Sequence, residues 1–147
     1  AFAELSPDLL KHTGVQAMAR QRGGQQAFRE AMLDYWGGAC AVTGIAVREV
    51  LRASHAKPWA ACESDAERLD VFNGFLLCAN LDALFDRYLV SFDAAGELLV
   101  SKAVSEADRQ RLGIHESLRL RWIATDHERY LGLHRQRFFS EICQASE

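Results

Sequence analysis

The chain has 147 residues, a formal net charge of −3 and a hydrophobic fraction of 49%, with a quarter of its residues charged. That length fits one domain able to bury a core. No apolar run approaches the ~20 residues that span a bilayer, and the N-terminus lacks the basic-then-apolar layout of a secretory signal. A soluble protein of the cytoplasm with no membrane partner is therefore expected.

In chain order, residues 1–24 read as a lead-in or linker, with Pro7 after Ser6 as a helix-start signal and Arg20, Arg22, Gly23 and Gly24 as a basic, flexible joint. A domain is expected over 25–147. From Gln25 to Trp36 the apolar residues Phe28, Met32, Leu33 and Trp36 recur at helical spacing, and Gly37-Gly38 end that helix. Cys40–Val42 and Val50–Ala53 are β-prone runs around the turn signal Thr43-Gly44, and they read as a β-hairpin. Pro58 excludes helix after His55, and residues 60–72 read as an irregular loop with one helical turn around Ala66. Asn80 is the expected cap of a helix from Leu81 to about Arg87. Leu89–Phe92 and Glu97–Ser101 flank Asp93-Ala-Ala-Gly96 as a second hairpin. Ser105 with Asp108 starts a capped helix that Gly113 stops, and a last helix runs from about Asp126 to Cys143. The sum is an α+β domain, with flanking helices around a small hairpin-and-helix centre.

Four cysteines, Cys40, Cys62, Cys78 and Cys143, form no Cys-x-x-Cys pair and no Cys-His array. A structural zinc site needs clustered ligands of that kind, so reduced, scattered thiols are expected. The negative net charge does not exclude a nucleic-acid partner, because such binding requires a basic face rather than a basic protein.

The informative block runs from Cys40 to Phe92. It contains Cys-Ala-Val-Thr-Gly at 40–44, Ala-Ser-His-Ala-Lys-Pro-Trp at 53–59, Arg-Leu-Asp at 68–70, Asn-Gly-Phe-Leu-Leu at 73–77 and Leu-Asp-Ala-Leu-Phe-Asp at 81–86. These motifs in this order resemble the His-Asn-His endonuclease family, specifically a restriction-like bacterial branch with a Ser-His-x-Lys-Pro-Trp signature. With its flanks the likeness covers about half the chain, from Gln25 to Ser101. It implies a ββα-metal core, DNA as partner, a bacterial cytoplasmic setting and one divalent ion, Mg²⁺ or else Mn²⁺.

Carried over residue by residue, the resemblance makes His55 the general base and Asn73 the residue that pins the loop and orients that base. Histidine suits the role because its ordinary pKa of ~6.5 leaves it mostly neutral at pH 7. Asp82 stands nine residues after Asn73, where the family has its third His or an Asn, and Asp86 follows at i+4 on the same helix face. Two such carboxylates favour a hard cation over zinc. Ser54 stands where many members carry an acidic or histidine ligand, which leaves open whether it ligates the metal. Lys57 is a candidate phosphate or metal contact, with a solvated lysine as the alternative. Arg119, Arg121 and Arg135 are candidate DNA contacts, because the planar guanidinium matches phosphate; a charged solvent face of a helix is the alternative.

The resulting expectation is hydrolysis of DNA phosphodiester bonds, in restriction or defence against foreign DNA. The rival is a catalytically weak or inactive module of the same fold that grips DNA. No sequence-reading motif such as a helix-turn-helix is visible, so a recognition domain N-terminal to this chain and a homodimer stay open as partners.

Overall fold

The computed structural model describes residues 15–115 and 117–145; Pro7 and the rest of the first fourteen residues lie outside them. The first helix, α1, runs from Val15–Tyr35, ten residues longer at its start than the apolar periodicity marks. Arg20–Gly24 is therefore helix and not a flexible joint. Glycine inside a helix costs ~1 kcal/mol relative to alanine, but Gly24 is selected by a tertiary contact. A Cβ there would stand 2.5 Å from the Trp59 indole. Phe28, Met32 and Trp36, spaced at i and i+4, are fully buried and form the face that packs on the central strands.

The central hairpin differs from the expected one. Strand β1 is Leu51–His55, and its antiparallel partner is β2, Gly74–Cys78, in the register Leu51↔Cys78 through His55↔Gly74. Cys40–Val42 is not a strand but part of a tight turn, closed by the Gly44 N–H donating to the Cys40 carbonyl at 3.0 Å. The Ala41 N–H reaches the Leu76 carbonyl at 2.7 Å, so this turn leans on β2 through one main-chain bond. All five residues of β2 are buried. A strand covered on both faces shows no alternation, and its apolar run cannot be told from buried helix by periodicity.

The chain passes straight from β2 into helix α3, Ala79–Asp86, completing a ββα unit. Cys78 occupies the cap position. Asn80, the expected cap, instead sends its side-chain amide to the Leu112 carbonyl at 3.0 Å. Between the strands, the short helix α2 (Asp65–Arg68) is capped by Ser64, whose hydroxyl accepts from the Glu67 N–H, close to the single turn expected near Ala66. The second hairpin, β3 (Val90–Phe92) with β4 (Leu98–Val100), agrees with its turn signal. Helix α4, Glu106–Arg111, has the expected Ser105 cap on the Asp108 N–H. The long closing helix α5, Glu128–Ala145, packs on β3. Among the described residues no helix is long and apolar enough to cross a membrane.

One buried histidine in this core has a measurable consequence. His134 of α5 is 2% exposed and lies between the rings of Phe85 at 3.7 Å and Tyr88 at 4.6 Å. Its Nε2–H donates to the Phe85 carbonyl at 2.7 Å, so Nδ1 accepts from the Ser91 hydroxyl at 2.8 Å. Burial disfavours the cation and lowers the pKa to about 4. The unfolded chain, with an ordinary histidine, binds the proton more readily. The stabilisation from this group is therefore intact above pH ~6.5 and is lost as pH falls towards 4, for a total of ~3 kcal/mol. Denaturant titrations at stepped pH should show this loss, and His134→Gln should flatten it; equal slopes in both proteins would reject the assignment.

Candidate active site

Successive residues of a strand point to opposite faces, and the end of β1 uses both. His55 faces α1. Its imidazole stacks on Phe28 with centroids 3.8 Å apart and meets the edge of Trp59 at 5.7 Å. Its Nε2 lies 2.8 Å from the Arg68 carbonyl. A carbonyl can only accept, so Nε2 carries the proton and the lone pair sits on Nδ1. Burial lowers the pKa below the ordinary histidine value, and the bond to Arg68 opposes this only in part. His55 is thus held neutral, in one tautomer, with a defined basic nitrogen.

Asn73 is completely buried, immediately before β2. Its Oδ1 accepts the Lys57 N–H at 2.7 Å, and its Nδ2 donates to the carbonyls of Glu67 at 3.1 Å and Lys57 at 3.3 Å. These bonds tie the segment after β1 to α2. The carbonyl that Asn73 grips belongs to Glu67, next in sequence to the Arg68 carbonyl that orients His55.

Ser54 points the other way, towards α3. It is 3% exposed, and its hydroxyl donates to Asp82 Oδ1. Burial raises the Asp82 pKa above the ordinary carboxyl value and the charge of Asp86 adds to this, while the Ser54 hydroxyl and the positive charge of Arg52 work against it. Asp86 lies one helical turn further on and is exposed. Among the described residues, no group of three or more His, Cys, Asp or Glu side chains is gathered to hold a metal. The donors present are two carboxylates and a hydroxyl, all oxygen. That set suits a hard cation that retains several of its waters, and not a closed zinc site.

The other residues singled out from the sequence are engaged elsewhere. Lys57 Nζ lies 3.0 Å from Glu67, a pair of which each side chain is less than one-fifth exposed, and Arg129 approaches the same carboxylate at 3.5 Å. Arg121 donates to the carbonyls of Cys40, Trp36 and Ala39 at 2.8–2.9 Å and lies over the Trp122 ring at 4.7 Å. Arg135 donates to the Phe92 carbonyl at 3.1 Å and pairs with Glu128. Arg119 remains exposed, bonded to the Ala95 carbonyl at 2.9 Å. Thus two groups meet at the end of β1, His55 with Asn73 and the α2 carbonyls on one face and Ser54 with Asp82 and Asp86 on the other, while the three arginines are engaged elsewhere. Two contributors escaped sequence reasoning. The Arg68 carbonyl, a main-chain group, left no signal at all. Arg52, two residues before Ser54 and so on its face of β1, was legible from strand periodicity.

Residues 40–93 match the sequence model of a family described as HNH endonuclease, a stretch that contains the whole constellation from Ser54 to Asp86. Among curated proteins, none matches the chain.

Proposed function

We propose, from the likeness of residues 40–93 to HNH endonucleases, that this chain hydrolyses DNA phosphodiester bonds with a divalent metal, and that its setting is restriction of or defence against foreign DNA. The single observation that supports a catalytic reading most is the state of His55, which has its Nε2 proton committed to the Arg68 carbonyl and a free lone pair on Nδ1. Water hydrogen-bonded to Nδ1 loses a proton to it as the oxygen attacks phosphorus. Because burial disfavours the imidazolium, His55 then passes the proton on to solvent or the departing oxygen. Asn73 acts through the loop, holding α2 so that the Arg68 carbonyl keeps the imidazole in one orientation. Asp82 and Asp86 hold the cation, with Mg²⁺ favoured by the oxygen donors; when bound, such an ion stabilises negative charge on the phosphate. Ser54 orients Asp82 through its hydroxyl. Arg52 offsets part of the negative charge at this site.

The direct test is nicking of supercoiled plasmid by the chain with Mg²⁺ or Mn²⁺, beside EDTA and a His55→Ala control. Nicking that needs metal and His55 is expected. Binding without nicking, across metals and salt, would convert the reading to a DNA-gripping module; the gathering of only two carboxylates at the metal position is what favours that rival. For the metal half, Asp82→Ala is expected to weaken Mn²⁺ binding in calorimetry by at least about tenfold, and unchanged binding would reject the ligand assignment. Cutting both strands from this one site requires a second copy or two successive events, so a homodimer and a separate recognition domain belong to the same proposal.

A further inference from the structure

The turn at Cys40 and the start of α3 bring two buried thiols together. The Cys40 sulfur accepts the main-chain N–H groups of Val42 at 3.5 Å, Thr43 at 3.4 Å and Cys78 at 3.4 Å. The Cys78 thiol donates to Asn80 Oδ1 at 3.0 Å, and the main-chain N–H of the same Cys78 meets the Cys40 sulfur. Both residues are at most 3% exposed, yet neither is bonded to another cysteine. Three N–H groups aimed at one sulfur make a nest for a negative charge. An ordinary buried thiol packs as a small hydrophobe and attracts no such set of donors.

We propose that Cys40 and Cys78 form an oxidation site, closing to an internal disulfide when the protein meets a peroxide. The asymmetry of the pair assigns the roles. Three main-chain N–H groups favour negative charge on the Cys40 sulfur, whereas the Cys78 thiol keeps its proton, donated to Asn80; the Cys40 pKa is lowered and that of Cys78 raised. Cys40 is the attacking thiolate. Its sulfur takes one peroxide oxygen, the O–O bond breaks, and the hydroxide released leaves as water with the proton that Cys40 gave up. The sulfenic acid now on Cys40 is attacked by the Cys78 sulfur, the S–O bond breaks, and the second hydroxide leaves as water with the Cys78 proton. Two thiols are oxidised and one peroxide is reduced to two waters. Asn80, as acceptor for the Cys78 S–H, loses its partner in the process.

The location gives the bond a structural consequence. Cys78 caps α3, the helix that carries Asp82 and Asp86, and Cys40 sits in a turn tied to β2 by the Ala41–Leu76 bond and by the Cys78 N–H on the Cys40 sulfur. A disulfide would fasten that turn to the head of the helix. The inference stands independently of the nuclease reading.

The test uses the full chain carrying Cys143→Ser, which removes the exposed thiol. The protein is treated with hydrogen peroxide, quenched with N-ethylmaleimide under denaturing conditions and weighed intact. The expected result is loss of two hydrogen masses, two fewer alkylated thiols, and a single cross-linked peptide joining Cys40 to Cys78 that dithiothreitol releases. The oxidised form should melt at a higher temperature than the reduced form, because the cross-link restricts the unfolded chain. Cys78→Ser should abolish the cross-link and leave Cys40 carrying added oxygen. An unchanged thiol count, oxygen addition without cross-linking in the parent, or a cross-link to Cys62 would each overturn the proposal. The peptide map of the parent decides this even where a serine variant fails to fold.

Discussion

His55→Ala is expected to slow plasmid nicking by about 10²–10⁴-fold, the range supplied by a positioned general base. The loss should fall on kcat with DNA affinity nearly intact, because the ring is engaged by Phe28, Trp59 and a main-chain carbonyl, not by an exposed cationic surface. Its pH dependence carries an independent signature. The base works only when unprotonated, and burial holds its pKa below the ordinary histidine value of 6.5. Single-turnover rates of the parent should therefore rise with pH on the acid side of 6.5 and be level above it. A rate still climbing as a histidine ionisation above pH 7, or a His55→Ala protein with parental kcat, would remove His55 from the mechanism. Truncating a ring stacked at 3.8 Å also leaves a cavity against Phe28, so melting curves of the variant must accompany the rates.

Gly74→Ala should be the most damaging single-methyl change to the fold around the site. Gly74 has φ +141°, and a Cβ there would stand 1.7 Å from the Ser54 carbonyl oxygen and 2.8 Å from its carbon. Both atoms are main chain and cannot rotate away. Backbone strain of this kind costs ~1–3 kcal/mol by itself, and the clash adds separation of β1 from β2 at the pair His55↔Gly74. A total of at least ~3 kcal/mol is expected in denaturant titrations, with nicking lost alongside although Gly74 touches no substrate. Gly113→Ala is the control: its φ of +73° is also left-handed, but no atom lies within 4 Å of the added Cβ, so only the ~1–2 kcal/mol of a left-handed residue applies. Equal destabilisation by the two substitutions would show that the Ser54 contact contributes nothing.

The buried positions of Asn73 and Ser54 bear on how such a site tolerates change. A buried amide that satisfies three main-chain groups leaves them unpaired when removed, a cost of ~1–3 kcal/mol for each group without a substitute partner. Asn73 and Gly74 are adjacent, so the residue that pins the loop and the residue that lets the strands meet form one short junction. In the proposed reading His55 relies on both: on Gly74 for the closeness of β2, and on Asn73, which bonds the adjoining Glu67 carbonyl, for the position of the Arg68 carbonyl.

Much of this arrangement was legible in the amino-acid order because it depends on neighbours along the chain. The Ser105 cap, the Asp93–Gly96 turn, the helical spacing of Phe28, Met32 and Trp36, and the i+4 placement of Asp82 and Asp86 all follow from local geometry. The ordered motifs around His55 and Asn73 likewise identified the candidate residues before any contact was known. Three things needed the tertiary structure. The partner of β1 proved to be Gly74–Cys78 and not the turn at Cys40, because a strand buried on both faces has no alternation to read. The guanidinium groups of Arg121 and Arg135 turned inward to main-chain carbonyls, a destination set by distant carbonyls and invisible to charge patterning. Gly23 and Gly24 proved to be helical, and Trp59, far along the chain, leaves no room for a Cβ at Gly24. Local order thus determined which residues stand near one another along each element, while long-range packing decided which faces meet.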